Sequence, residues 1–319
     1  MTTIPAPRWL AASRTSRTPD RVFLWVIRLA AFAIGVILVG LGVQLVVNSM
    51  LAWQTFGVAD FVMGTTWDPV AGIYGALPFI VGTILSSLLA LLFAAPIGVL
   101  TAIFLAEMAP TRLATPLIFM IELLAAIPSV VFGLWGVFVL APFLRDTVEA
   151  WIVSVFGWIP FLSGPTFGIG LFSAGVILAI MILPTIVSIS REVIRSVPDS
   201  QREAMVALGA TRWETITKAV IPYARSGIIG AIILGLGRAL GETMAVTMII
   251  GNGQNIPTRL FDQAQTIASK VATTFNEATA GLQVSSLIAL GLILLVITIA
   301  LNVVARLLVW RVAGPVGGE

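Results

Sequence analysis

Six long apolar stretches alternate with polar segments along this chain, and they limit its possible folds more than any other feature. Only two of the stretches contain charges: the third holds Glu122, and the fifth holds Arg238 and Glu242. A helix that crosses a bilayer needs roughly 20 mostly apolar residues, and each stretch provides them. The sequence therefore predicts an all-α membrane protein with six transmembrane helices. These comprise residues 29–50, 77–105, 113–144, 168–190, 226–251 and 281–305.

The composition supports this prediction, because 58% of the 319 residues are hydrophobic and only 10% are charged. Soluble domains carry about 25% charged residues. Residues 151–162 are apolar but too short to span, so we expect them to lie at the membrane interface. The predicted segments are a tail, a first helix, an outer loop, a five-helix core with an inner loop, and a second tail. They comprise residues 1–22, 23–51, 52–76, 77–310 with the inner loop at 191–225, and 311–319.

The distribution of positive charge predicts the orientation of the helices. If the N-terminus lies in the cytoplasm, 14 of the 18 lysines and arginines fall on that side of the membrane. Arg145, Arg259 and Lys270 fall on the outer side, and Arg238 lies within a span. Cytoplasmic loops of membrane proteins carry an excess of Lys and Arg. We therefore predict a multi-pass protein with both termini in the cytoplasm.

Several kinds of chemistry are excluded by what the sequence lacks. The chain has no cysteine and no histidine, so it offers no disulfide, no histidine or thiolate zinc ligand and no histidine base. It has no Gly-x-x-x-x-Gly-Lys-Ser/Thr segment, and so no P-loop for nucleotide phosphates. The sequence therefore offers few catalytic groups for an intramembrane enzyme, since it also lacks a Gly-x-Gly-Asp segment. The net charge of +3 does not indicate a nucleic-acid partner.

The inner loop carries clear local signals for two short helices. Ser200 and Thr211 each precede a glutamate by three residues, the capping-box spacing that starts a helix. Gly209 is suited to end the first helix, because glycine enters the left-handed region freely. Pro222 is expected to end the second, because the residue before proline avoids helical geometry. This bent pair could dock onto a cytoplasmic partner or rest on the membrane surface, and capping signals alone do not decide.

The same loop resembles a known motif. Glu203-Ala204-Met205, Gly209 and the segment 219–222 ending at Pro222 have the spacing of the E-A-A-x3-G-x9-I-x-L-P motif of ABC importer permeases. Met205 replaces the second alanine and Ala219 replaces an isoleucine, and both replacements are apolar. In that family the loop inserts into a groove on an ATPase subunit, so the resemblance implies a docking role for Glu203, Ala204, Gly209 and Pro222.

Three further blocks narrow the resemblance. Residues 67–78, 122–129 and 235–246 resemble segments of PstC-type permeases of phosphate ABC importers. The tyrosine-glycine block at 74–75 and the Gly-Glu-Thr-Met-Ala-Val block at 241–246 fit PstC-type permeases better than their PstA-type partner. The resemblance implies a type I ABC importer permease fold in the bacterial inner membrane. It also implies partners: a PstA-type second permease, two PstB-type ATPases and a PstS-type external phosphate-binding protein. ATP and magnesium would bind the ATPases, and no cofactor is expected in this chain.

The charges within the fifth stretch are candidate substrate contacts. Arg238 and Glu242 are predicted to lie one turn apart on one helix face. They could neutralise each other as a structural pair, or they could contact the substrate, as the resemblance also implies. The planar fork of arginine matches two phosphate oxygens. A carboxylate can accept the proton that phosphate, unlike sulfate, still carries near neutral pH.

Other positions leave alternatives open. Glu122 could line a pore or pack between helices, since such a residue avoids lipid. Gly237 and Gly241 have the Gly-x-x-x-Gly spacing of close helix contacts, within this chain or with a partner subunit. Sulfate or molybdate remain alternative substrates, and an ion-coupled carrier working alone remains an alternative mechanism. On balance we predict one half of the pore of an ATP-driven phosphate importer.

Overall fold

The computed structural model describes residues 17–279 and 281–313, with side chains for residues 21–279 and 281–307. It divides into two compact units, with the boundary between Asn48 and Ser49. In chain order the helices are α1 (Arg17–Phe56), α2 (Val58–Met63), α3 (Leu77–Ile103), α4 (Thr111–Ala126), α5 (Ser129–Trp135), α6 (Ala141–Phe143), α7 (Ala150–Phe156), α8 (Leu171–Arg195), α9 (Asp199–Ala207), α10 (Arg212–Thr215), α11 (Ile221–Gly241), α12 (Met244–Ile249), α13 (Ile267–Thr274) and α14 (Leu282–Ala313). Four π-helical turns continue or join these helices: Phe104–Met108, Gly136–Leu140, Leu144–Glu149 and Ile216–Val220. Two short 3-10 turns lie at Pro160–Leu162 and Phe275–Glu277.

Six helical segments of the described chain are long and apolar enough to cross a membrane, which confirms the predicted number. They are Arg21–Phe56, Leu77–Met108, Ser129–Phe156, Leu171–Arg195, Arg212–Gly241 and Leu282–Leu307. Helix α1 begins at Arg17, inside the segment predicted as an N-terminal tail. The rest of that tail, residues 1–16, and residues 314–319 of the predicted C-terminal tail lie outside the described residues.

The third span is displaced from its predicted position at residues 113–144. Helix α4 ends at Ala126, and Ile127 and Pro128 adopt extended conformations before a new helix begins at Ser129. Proline removes a helical hydrogen bond and disfavours helical geometry at the residue before it, which explains the break. The span then runs from Ser129 to Phe156. Residues 151–156, predicted to lie at the membrane interface, are therefore the end of this span.

Helix α8 lies at the centre of the second unit, with its apolar side chains buried between α3, α11 and α12. Glycines allow the close approach of its neighbours. A Cβ atom built on Gly98 of α3 would lie 2.8 Å from Cγ2 of Ile186, and one on Gly235 of α11 would lie 2.9 Å from Cγ1 of the same side chain. Small residues let helices pack closely in lipid, where the hydrophobic effect does not drive association. This packing places the end of α11, with Arg238, beside α8.

A two-stranded hairpin precedes α3, in a region predicted only as an outer loop. Strands β1 (Trp67–Asp68) and β2 (Ile73–Tyr74) are antiparallel, and Trp67 pairs with Tyr74. The turn between them is held by the Asp68 carboxylate, which accepts backbone N–H bonds from the following residues. The rings of Trp67 and Tyr74 stack edge to face, with centroids 4.9 Å apart. The hairpin is thus braced by its own aromatic side chains.

Lys270 packs against this hairpin. Lys270 is one of the charges predicted on the outer side, yet it is only 4% exposed. Its Nζ lies 5.1 Å from the centroid of the Trp67 ring and 5.3 Å from that of Phe79. Burial lowers the pKa of Lys270 to about 8, because desolvation disfavours the charged form. The aromatic faces compensate by attracting the ammonium group.

Candidate functional site

The helix that carries Arg238 ends sooner than the sequence predicts. Helix α11 stops at Gly241, and Glu242 has an extended backbone with φ −68° and ψ 127°. A new helix, α12, begins at Met244. Glu242 therefore does not continue the helical face of Arg238, and the predicted arrangement one turn apart is wrong. Gly241 explains part of the break, because glycine is a poor helix former.

The Glu242 side chain stabilises the restart of the helix. Its Oε1 accepts a hydrogen bond from the backbone N–H of Ala245, at 3.3 Å. An acidic side chain at the start of a helix satisfies a free N–H and interacts well with the helix dipole. Glu242 is half-buried, and its Oε2 accepts no hydrogen bond among the described residues. One carboxylate oxygen is thus held in place while the other stays available.

Arg238 is exposed and weakly bonded. Its Nη1 donates to Oγ1 of Thr185 on α8, at 3.4 Å. No ion pair joins Arg238 to Glu242 within the described chain, so the alternative of a structural pair does not hold there. An arginine in a membrane span must face protein or water rather than lipid. The other N–H groups of its guanidinium make no hydrogen bond within the described residues, so they are available to a ligand or a partner. Thr185 lies 53 residues away, and no sequence signal marked it.

Glu122 lies on α4, outside the span in which it was predicted. Its side chain is exposed, and it makes no hydrogen bond or ion pair within the described residues. The structure therefore does not bring Glu122 into contact with Arg238 or Glu242.

The inner loop forms the predicted bend, with one difference in its first helix. Gly209 has φ +79°, the left-handed conformation expected of a glycine that ends a helix. Thr211 and Glu214 form the predicted capping box, with Thr211 N–H donating to Glu214 Oε2 at 3.0 Å. The Ser200 box does not form, because α9 begins at Asp199 with Pro198 as its N-cap, two residues earlier than the box requires. Glu203 and Ala204 lie on α9 with exposed side chains.

Pro222 does not end the second helix, contrary to the prediction. It lies immediately after the π turn Ile216–Val220, and the helix continues into α11. In the π turn the N–H of Ile221 donates to the carbonyl of Ile216, five residues earlier. Membrane helices tolerate proline where such local π adjustments satisfy the neighbouring backbone groups. The inner loop between the fourth and fifth spans, which contains α9, is therefore shorter than predicted, at residues 196–211.

The glycines of α11 separate into two groups. A Cβ atom on Gly227 would lie 2.4 Å from Cγ1 of Val193, so Gly227 serves packing within the chain. A Cβ atom on Gly230, Gly237 or Gly241 would meet nothing within 4 Å among the residues that the structure describes. The Gly-x-x-x-Gly pair at 237 and 241 is therefore not used for packing within the described part of this chain.

The sequence matches a family of transport proteins and is similar to known permeases. Residues 94–314 match the model of a family described as the binding-protein-dependent transport system inner membrane component. The sequence is 46% identical over 311 residues to the phosphate transport system permease protein PstC of Mesorhizobium japonicum, covering 96% of this chain and 95% of that protein. It is 44% identical over 297 residues to PstC of Pasteurella multocida, covering 92% of each.

Solved structures show the same fold at low identity. A chain of a bacterial alginate ABC transporter, in complex with an alginate pentasaccharide-bound periplasmic protein, has a TM-score of 0.59 at 17% identity, covering 94% of this chain and 99% of that one. A chain of the inward-facing MetNI methionine ABC transporter has a TM-score of 0.57 at 17% identity, covering 77% and 99%. These likenesses confirm the predicted type I ABC importer permease fold.

Proposed function

This chain belongs to the PstC family of phosphate transport system permease proteins, and we propose on that basis that it forms half of the transmembrane pathway of an ATP-driven phosphate importer. The observation that carries the proposal is identity above 40% to PstC proteins across nearly the whole chain. The test is ATP-dependent uptake of labelled phosphate by the purified complex. If the pathway carried sulfate or molybdate instead, an excess of that anion would reduce the uptake of labelled phosphate in the same assay.

We assign the contact with phosphate to Arg238 and Glu242. The exposed guanidinium of Arg238, which makes a single long hydrogen bond within the described residues, to Thr185, can turn its fork toward two phosphate oxygens. The free oxygen of Glu242 can accept the proton of a singly or doubly charged phosphate. A fully deprotonated anion such as sulfate would meet only repulsion from that carboxylate. The contact must also be weak enough for release, and neither side chain forms a closed cage.

A second permease subunit, of the PstA type, would complete the pathway. Two features of α11 support this proposal: Arg238 is exposed, and Gly237 and Gly241 leave open space on the helix surface. Small residues let a neighbouring helix approach closely. A partner helix beside this surface would shield Arg238 from lipid while leaving room for an anion.

The bend at Gly209 is the proposed docking point for a PstB-type ATPase. Apolar side chains around it are exposed, with Leu208 at 83%, Val206 at 64% and Trp213 at 59%. Clusters of exposed apolar residues outside a membrane mark interaction sites. ATP and magnesium would be held by that ATPase, which makes this chain a non-catalytic subunit. Motion of the ATPases would be transmitted through the bend to the spans. The pathway would then open alternately to the two sides of the membrane, and a PstS-type protein would deliver phosphate on the outer side.

Glu122 stays a proposed pathway residue of the assembled importer. It is exposed in the single chain and has no partner in the described residues. A carboxylate near the membrane must meet protein or water. A neighbouring subunit or a water-filled passage would provide that environment.

The orientation can be tested with introduced cysteines, since the native chain has none. Cysteines at Asp60 and Asp262, which lie outside the spans, should react with a membrane-impermeant thiol reagent added outside intact cells. Cysteines at Arg112 and Glu214 should react only after the membrane is opened. A permeant reagent that labels all four positions is the control. The reverse pattern would contradict the orientation derived from positive charge.

A further inference from the structure

Both arms of the bend at Gly209 reach the same residue of another span. Arg202, on α9 before the bend, contacts the Glu107 carboxylate through Nη2 at 2.7 Å and Nε at 3.3 Å. Arg212, at the start of α10 after the bend, donates from Nη2 to the Glu107 backbone carbonyl at 2.7 Å. Glu107 lies 95 residues before Arg202 in the sequence. The bend is thus attached to one point from two sides.

Glu107 lies at the end of the second span, where that span contacts both arms of the bend. It belongs to the π turn Phe104–Met108, the last turn of the second span. The last carbonyls of a helix lack partners within the helix, and Arg212 satisfies one of them. The side chains of Glu107 and Arg202 are 14% and 21% exposed. Partly buried pairs are screened by salt much less than exposed ones.

The guanidinium of Arg202 also joins α9 to the end of α8. It donates to the backbone carbonyl of Ile194 at 3.0 Å, and it contacts the carbonyl of Val197. None of the nine residues of α9 is buried, so apolar packing contributes little to its position. In the described chain, Arg202 makes all side-chain hydrogen bonds that join α9 to the second span and α8. A planar guanidinium fixes direction as well as distance, which a flexible ammonium does not.

We infer that the Glu107–Arg202 pair is the positioning contact that transmits displacement of α9 to the second span, a role that rests on the proposed function. Capping of the α8 end needs only the donors that reach the carbonyls of Ile194 and Val197, and the Glu107 carboxylate adds nothing to it. The pair instead connects α9 to the second span, which forms the core together with α8. Without it, α9 keeps its bonds to the end of α8, and only the Arg212 bond still joins the bend to the second span, so motion of α9 moves that span less.

The test is the number of phosphate ions imported per ATP hydrolysed, measured on the whole purified complex in liposomes. Glu107→Ala removes the carboxylate and leaves the bonds of Arg202 and Arg212 to backbone carbonyls. We expect normal assembly and ATP hydrolysis, with a fall in phosphate per ATP of about fivefold or more, the lower range of typical coupling between sites. Glu107→Gln, which keeps size and one acceptor, should give an intermediate ratio and decides the question if the alanine variant fails to assemble.

Lys218→Ala is the matched control, because it removes an exposed ion pair a few residues after the bend, Lys218 with Glu214 at 3.1 Å. Its ratio should equal that of the wild type. A wild-type ratio in the assembled Glu107 variants would overturn the inference. A wild-type complex that imports no phosphate would overturn the proposed function as well.

Discussion

Phosphate uptake is expected to fall roughly 10- to 100-fold when Arg238→Gln and Glu242→Gln are combined, because hydrogen bonds to charged groups are worth about 1.5–3 kcal/mol. Assembly should be normal, since no ion pair joins these residues in the described chain. The amide oxygen that Glu242→Gln introduces can still accept the N–H of Ala245, so α12 keeps its cap. The measurement is labelled-phosphate uptake, normalised to assembled complex.

Arg238→Lys separates charge from geometry in the same assay. Lysine keeps the positive charge but lacks the two-pronged fork, so we expect most uptake to be lost. Arg195→Gln is the matched control, because it neutralises an exposed arginine at the C-terminal end of α8, away from the proposed pathway. Near-normal uptake by the double variant would remove Arg238 and Glu242 from the transport pathway.

Gly209→Val should uncouple the permease from its ATPase. Gly209 has φ +79°, a region that costs a non-glycine residue about 1–2 kcal/mol and a β-branched residue more. In the described part of the chain a Cβ atom at this position would meet nothing within 4 Å, so the effect would come from the backbone and not from crowding. We expect normal membrane insertion but loss of uptake and of phosphate-stimulated ATP hydrolysis.

Gly209→Asn is the matched control for this prediction. Asparagine is polar, adds a side chain of similar size and enters the left-handed region more readily than valine. It should retain most of the ATPase stimulation. If Gly209→Val stimulates ATP hydrolysis as well as the wild type does, the bend has no docking role.

The spans could be predicted from sequence wherever the apolar stretch was long and free of proline breaks. The stretches at 77–105, 168–190 and 281–305 all became helices close to these bounds. The third failed because the unbroken apolar run hides the interruption at Ile127–Pro128. Hydropathy measures transfer to lipid and contains no information on backbone conformation. Only the proline signal marked the break, and proline is often tolerated within membrane helices.

The local geometry of the inner loop was predictable because its signals are contained within a few residues. The capping box at Thr211 and the positive φ at Gly209 both depend on neighbours in sequence. Pro222 was misjudged because the π turn before it depends on how the helix continues, which a local rule cannot detect. The same limit applies to Glu242, which follows the end of one helix and whose side chain caps the start of another.

Contacts between distant residues could not be predicted at all. Thr185 beside Arg238, Glu107 beside Arg202, and Trp67 beside Lys270 are each brought together by helix packing. Their separation in sequence removes any periodic signal. The family resemblance implied the roles of Arg238, Glu242 and the inner loop, whereas the Glu107 contact follows only from the folded structure.

Uptake of labelled phosphate by liposomes is the direct test of whether this chain forms the phosphate pathway of an ATP-driven importer. The complex is purified through a tag on this chain, and the co-purified subunits are identified by mass spectrometry. ATP is enclosed, and a PstS-type binding protein with labelled phosphate is added outside. We predict a co-purified ATPase and uptake that requires ATP and is reduced by unlabelled phosphate but not by excess sulfate or molybdate. Uptake by the tagged chain without an ATPase or ATP, or equal competition by sulfate, would contradict the account.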